Sequence, residues 1–238
     1  MSDFETIIYE KKDRLAYITL NRPQALNVYN IKMRDELYEV LGAVRDDADI
    51  RVTLFRGAGD RAFCAGADLS EFLTAPSPII ARQARWERDI WGLFLGINKP
   101  MIAALHGFVL GSGVEIALCC DIRLASEDVQ FGLPEPGLGI IPAAGGSQTL
   151  PRIIGGPKAL EILLSGRWVK AEEAQRLKLV SRVLPKKELL PAAERLAEKI
   201  ASFNPLAVAY AKQAITRGLD LGLSRGLELE ARLAGSLA

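Results

Sequence analysis

Met101-Ile102-Ala103-Ala104-Leu105-His106-Gly107-Phe108-Val109-Leu110-Gly111-Ser112-Gly113-Val114-Glu115-Ile116-Ala117-Leu118-Cys119-Cys120 is an apolar run broken by three glycines, one histidine and one glutamate. Its length would suit a membrane span. However, its glycines suit a turn better than a lipid-facing helix, and a carboxylate at Glu115 is costly in hydrocarbon. The stretch reads instead as a buried strand over Met101–Leu105, a glycine turn, and a helix that carries Glu115. A second glutamate follows in Phe131-Gly132-Leu133-Pro134-Glu135-Pro136-Gly137. With one histidine and three cysteines in the chain, carboxylates are the natural agents for any proton transfer.

Outward from this stretch the pattern alternates. Thr6–Glu10 and Ala16–Leu20, separated by Lys11-Lys12-Asp13-Arg14, read as a hairpin. Residues 31–48 place Met33, Leu37, Val40, Leu41 and Val44 at helical spacing, and Arg51–Arg56 reads as a strand ending at Gly57-Ala58-Gly59-Asp60. A second helix is expected over residues 84–97 through Trp86, Ile90, Leu93, Phe94 and Ile97, stopped by Pro100. Ile122–Ala125 and Val129–Phe131 are strand-like. Beyond residue 157 the pattern turns helical over Pro157–Leu164, Ala171–Leu177, Leu189–Ser202 and Pro205–Thr216. Strands alternating with helices, then a helical tail, indicate an α/β fold.

The bulk numbers narrow the function. Hydrophobic residues make up 49% and charged residues 25% of 238 residues, the profile of an ordered globular chain. A net charge of +1 gives no electrostatic footprint for nucleic acid. The helix over 31–48 sets Lys32, Arg34 and Arg45 against Asp35, Glu36, Glu39, Asp46 and Asp47, which argues against RNA binding. Met1-Ser2-Asp3-Phe4-Glu5 lacks the layout of a signal peptide. Cys64, Cys119 and Cys120 form neither a disulfide framework nor a metal-ligand spacing. A reducing cytoplasm is expected, with no metal and no redox cofactor.

Several motifs carry two readings. Gly57-Ala58-Gly59-Asp60-Arg61-Ala62 superficially fits a dinucleotide fingerprint, but Gly66 interrupts the helix that motif needs, so a surface turn is expected. Ala65-Gly66-Ala67-Asp68-Leu69 lets a ligand approach the backbone, or simply connects a strand to a helix with Asp68 near its start. Ser112-Gly113-Val114-Glu115 matches the S-x-x-E capping box, in which Glu115 would hold its own helix. The same helix start would alternatively aim unpaired N–H groups at a developing oxyanion. Glu135, between two prolines, belongs to a stiffened loop. His106 is expected to be structural. A serine-hydrolase reading fails because Leu110 and Val114 stand where G-x-S-x-G requires glycine.

Six ordered segments together resemble the crotonase (enoyl-CoA hydratase/isomerase) superfamily over nearly the whole chain. They are Leu20–Asn27, Ala62–Leu69, Lys99–Glu115, Cys120–Arg123, Phe131–Glu135 and Gly139–Gln148. The resemblance implies a crotonase-type spiral of ββα turns over residues 1–188 and a C-terminal helical trimerisation region over 189–238, with trimers often paired into hexamers. It implies an acyl-CoA thioester substrate, whose carbonyl is held by the backbone N–H groups of Ala67 and Ser112. Glu115 and Glu135 would be the catalytic pair: Glu115 activates water and Glu135 exchanges the α-proton. Further substrate contacts would come from Ala25, Ala65, Gly66, Asp68, Leu69, Gly111 and Pro134.

The expected activity is reversible hydration of a 2-enoyl-CoA. A Δ3,Δ2-enoyl-CoA isomerase and a non-catalytic acyl-CoA-binding protein are the rival readings. Like charge between the two carboxylates is expected to raise the pKa of one. Two features depart from the family pattern. Ser112 stands where many relatives have glycine, so its side chain is expected to narrow the acyl pocket. The chain also ends at Leu237-Ala238, short of a further helical segment in many relatives. Residues 70–85, with Pro76-Ser77-Pro78, are expected to form a pocket loop.

Overall fold

The structure, a computed structural model, describes residues 4–72 and 88–237. The hairpin is present as β1 (Ile7–Lys12) and β2 (Leu15–Leu20), paired antiparallel. After helix α1 (Ile31–Asp46) the chain repeats one move three times. A strand joins a six-stranded sheet, the next strand joins a four-stranded sheet, and a helical segment follows. The strand pairs are β3 (Val52–Gly57) with β4 (Ala62–Cys64), β5 (Met101–Leu105) with β6 (Phe108–Leu110), and β7 (Ile122–Ser126) with β8 (Gln130–Gly132). The helical segments after the first two pairs are α2 (Leu69–Phe72) and α3 (Ile90–Gly96), then α4 (Ser112–Cys119).

The larger sheet runs β1-β2-β3-β5-β7-β10 and the smaller β4-β6-β8-β9, where β9 is Val169–Lys170 and β10 is Arg182–Leu184. All pairs are parallel except β1–β2 and β8–β9. This is the expected spiral.

Alternation along the strands explains the layers. Phe55, Met101, Ala103 and Leu105 face the main core, which they share with Phe63, Val109 and the buried residues of α1 and α4. Leu54, Ile102, Ala104 and Leu124 face the other way, against Leu189, Ala193, Ala197 and Ala201 of α8 (Lys186–Ala201). Strands buried on both faces read as continuous apolar runs, as β5 does. The helices between are α5 (Gly146–Ile154), α6 (Gly156–Ser165) and α7 (Ala171–Arg176). The expected division at 188/189 falls inside α8.

Two further helices, α9 (Pro205–Gly218) and α10 (Leu223–Gly235), pack on each other. Ile215, Leu219 and Leu223 are 64%, 82% and 80% exposed, an unusual concentration of bare apolar surface. Lys212 Nζ ties α9 to the core through Asp121, which also accepts the Met101 N–H.

The structure corrects the sequence reading at several places. The glycine turn after His106 contains a strand, β6, and β4, β9, β10 and α5 were not anticipated, whereas α10 falls in the expected C-terminal helical region. The small-sheet strands are two or three residues long, too short to display a period. Of the helix expected over 84–97, Ile90–Gly96 is helical, while Trp86 lies outside the described residues, as does the expected pocket loop beyond residue 72.

One contact seats α4. A Cβ on Gly113 would lie 2.2 Å from the Cys64 carbonyl oxygen at the end of β4. Gly113→Ala therefore forces helix and strand apart. Thermal unfolding followed by circular dichroism should show a loss of about 1–3 kcal/mol, at roughly 2–4 °C per kcal/mol for this chain length. An unchanged midpoint would mean that α4 does not rest on β4.

Candidate active site

Strands β4, β6 and β8 are parallel neighbours, so their C-terminal ends open at one edge of the small sheet. Ligand sites of parallel sheets lie at such an edge. After β4 come Ala65, Gly66, Ala67, Asp68 and Leu69. After β6 come Gly111, Ser112 and Glu115, and after β8 come Pro134 and Glu135. All of these line one cavity of about 340 Å³. Of the expected site residues, Ala25 alone lies outside the lining. It ends the 3-10 turn Pro23–Ala25, whose following residue Leu26 accepts the Ala65 N–H and so supports the β4 exit.

The two N–H groups expected to hold a carbonyl are left over by the local hydrogen bonding. Tyr29 donates to the Gly66 carbonyl and Asp68 donates to the Tyr29 carbonyl, bypassing the Ala67 N–H between them. Ser112 is the first residue of α4, where no intrahelical acceptor exists for its N–H. Asp68 is pinned rather than poised: Arg22 lies 3.0 Å from Oδ2, and Ser70 donates to Oδ1. Ser70 and Arg22 hold the Asp68 carboxyl below the usual carboxylate range.

Glu115 does not cap its own helix. The N-cap of α4 is Gly111, at φ +47° and without a side-chain cap, so the helix starts one residue earlier than the capping box requires. The Glu115 carboxylate, 3% exposed, instead accepts the Ala144 and Gly146 N–H groups on Oε1, both at 2.9 Å. Gly146 opens α5, so Glu115 caps the N-terminus of a different helix, where a carboxylate is favoured.

Glu135 is the complement. It begins a 3-10 turn, Glu135–Leu138, rather than an irregular loop, and it is buried. Its Oε2 is buried with no hydrogen-bond partner among the described residues. Burial pushes its pKa up; the like-charge effect expected from Glu115 is not what raises it. The carboxylate sits over Gly111, where a Cβ would come within 2.9 Å of Oε1.

Part of the lining was not legible beforehand. Tyr29 and Trp91, with ring centroids 6.0 Å apart, form an aromatic wall, and residues 140–144 form another side. The glycine pair Gly145-Gly146 was the available signal for the second. His106 is structural as expected, with Nε2 donating to the Gly59 carbonyl at 3.0 Å.

The sequence model of the family described as enoyl-CoA hydratase/isomerase matches residues 10–238. The chain belongs to the enoyl-CoA hydratase/isomerase family.

Its family relatives include the putative enoyl-CoA hydratase/isomerase YngF of Bacillus subtilis, 42% identical over 92% of this chain and 85% of that protein. The crotonyl-CoA hydratase of Syntrophomonas wolfei is 39% identical over 98% of this chain and 89% of its own length. The crystal structure of an enoyl-CoA hydratase from Bacillus anthracis superposes with a TM-score of 0.92 at 38% identity, covering 97% of this chain and 90% of that one. Shared fold and family thus agree with the spiral. Among the described residues no helix is long and apolar enough to cross a membrane.

The unpartnered Glu135 oxygen has a measurable consequence. A carboxyl whose folded pKa is raised binds its proton more tightly in the native state, so its ionisation costs stability as pH rises from the unfolded value through the raised one. Glu135→Gln removes that ionisation. The melting temperature of the variant relative to the parent should therefore increase between pH 4 and pH 8. A pH-independent difference would contradict the burial seen here.

Proposed function

We propose that the protein is an enoyl-CoA hydratase that adds water reversibly across the 2,3 double bond of an enoyl-CoA thioester. The observation that carries this reading is the meeting of two buried carboxylates with different surroundings beside two unclaimed backbone N–H groups in one cavity. The thioester carbonyl fits against the Ala67 and Ser112 N–H groups. Addition at the β-carbon pushes charge onto that oxygen, and fixed donors stabilise it without reorganisation. Losing one such donor costs about 3–4 kcal/mol of barrier.

The carboxylates divide the remaining work. Glu115, oriented by the Ala144 and Gly146 N–H groups, takes a proton from the water as its oxygen attacks the β-carbon. Glu135, whose burial favours the protonated form, delivers a proton to the α-carbon. One water is consumed, and a proton passed from Glu115 to Glu135 resets the pair. The coenzyme A moiety belongs to the substrate, and no step calls for a metal or redox group. The exposed apolar residues of α9 and α10 support assembly into a trimer or a dimer of trimers through the C-terminal region. A cytoplasmic setting suits the substrate and the three free cysteines.

Isomerisation of a 3-enoyl to a 2-enoyl thioester needs a single proton-carrying carboxylate and leaves Glu115 without a task. Its burial inside the same cavity favours hydration. Loss of the conjugated thioester absorbance of crotonyl-CoA measures the activity directly. Failure on short, long and cyclic enoyl-CoAs alike would overturn the hydratase reading. Binding of such thioesters without product would indicate a non-catalytic acyl-CoA-binding protein. Glu135→Gln should lower hydration by about 10²–10⁴-fold, the usual worth of a positioned acid or base. Glu115→Gln should lower hydration to a similar degree while sparing double-bond isomerisation. Equal loss of both activities in the two variants would remove the distinction drawn between them.

A further inference from the structure

Ser112 has a side chain that neither its own helix nor its surroundings employ. The capping role expected for its hydroxyl is absent, because Gly111 occupies the N-cap and makes no side-chain cap bond. No hydrogen bond involves the Ser112 hydroxyl among the described residues, yet Ser112 lines the cavity. It stands three residues before Glu115 on the same helix and directly after Gly111, over which the Glu135 carboxylate sits. Side chains separated by three residues share a helix face.

The direction of this side chain follows from helix geometry. Every Cα–Cβ bond of an α-helix tilts toward the N-terminus. At the first helical position the backbone N–H points past that same end. A serine there presents an N–H and an O–H to one region of space, which here is the cavity. An alanine or glycine would present the N–H alone.

We propose that the Ser112 hydroxyl is a third hydrogen-bond donor to the thioester oxygen, acting beside the N–H groups of Ala67 and Ser112 as that oxygen gains charge. This assignment rests on the hydratase reading above and adds a catalytic group to it. A hydroxyl rotor is less firmly aimed than a backbone N–H. Its removal should therefore cost less than the hundredfold or more typical of a fixed oxyanion donor, on the order of tenfold in kcat. Because the bond strengthens only as charge develops, KM should change little.

The test uses Ser112→Ala and Ser112→Gly in the full chain, with thermal unfolding to establish that both fold. Two readouts are taken: steady-state hydration of crotonyl-CoA, and the absorbance of bound cinnamoyl-CoA, whose conjugated band moves to longer wavelength as its carbonyl is polarised. Support consists of a kcat about tenfold lower in both variants with KM nearly unchanged, together with a smaller red shift than in the parent. Parent-like kcat and red shift would overturn the proposal. So would variants that differ from each other in rate while keeping the parent's red shift, since the side chain would then act by bulk. A rate loss accompanied by a moved pH profile and an unaltered red shift would place the hydroxyl on Glu135 instead, and would equally overturn it. If the parent polarises cinnamoyl-CoA but hydrates no enoyl-CoA, the hydratase reading fails and the red shift alone decides the role of Ser112.

Discussion

The parallel pairing of three very short strands, β4, β6 and β8, is the constraint on which the rest depends. None could persist alone, and each is held by its neighbours in the small sheet and by the short turn that ties it to a strand of the larger one. Their common exit edge delivers the Ala67 N–H, the start of α4 and the Glu135 turn to one place. The absent Cβ of Gly113 then lets α4, which starts at Ser112, rest on the end of β4. Chemistry at this edge is thus a product of sheet register before it is a product of any side chain.

The two glutamates show how one residue type serves two tasks. Glu115 has backbone donors on one oxygen and caps a helix, surroundings in which a carboxylate is at home. Glu135 keeps a buried oxygen unpaired among the described residues, a cost of about 1–3 kcal/mol. On the proposed reading, a substrate would supply the missing partner.

Legibility in the sequence tracked length and locality. Helix α1 shows a full period and strand β5 a continuous apolar run, and both are readable to within a residue or two at either end. Strands β4 and β6 have three residues each and are stabilised from outside, so nothing local announces them. The proposed catalytic pair and the two proposed N–H donors came from ordered motifs, and ten of the eleven expected positions line the cavity, which leaves only Ala25 outside. Of the two readings of the Ser112 segment, the capping box does not hold, because the helix N-cap lies one residue early, at the positive-φ Gly111. Tyr29 and Trp91 come from segments distant in sequence, and their meeting is a tertiary event.

The two bonds between Glu115 and the start of α5 tie its carboxylate to the wall of the cavity. Ala144 and Gly146 belong to the segment that walls the cavity, and their N–H groups are what aim the Glu115 carboxylate. A displacement of Ala144 and Gly146 away from α4 would break both bonds. On the proposed hydratase reading, the carboxylate assigned to the water is thus aimed by the same segment that walls the cavity, so wall and carboxylate are set in place together.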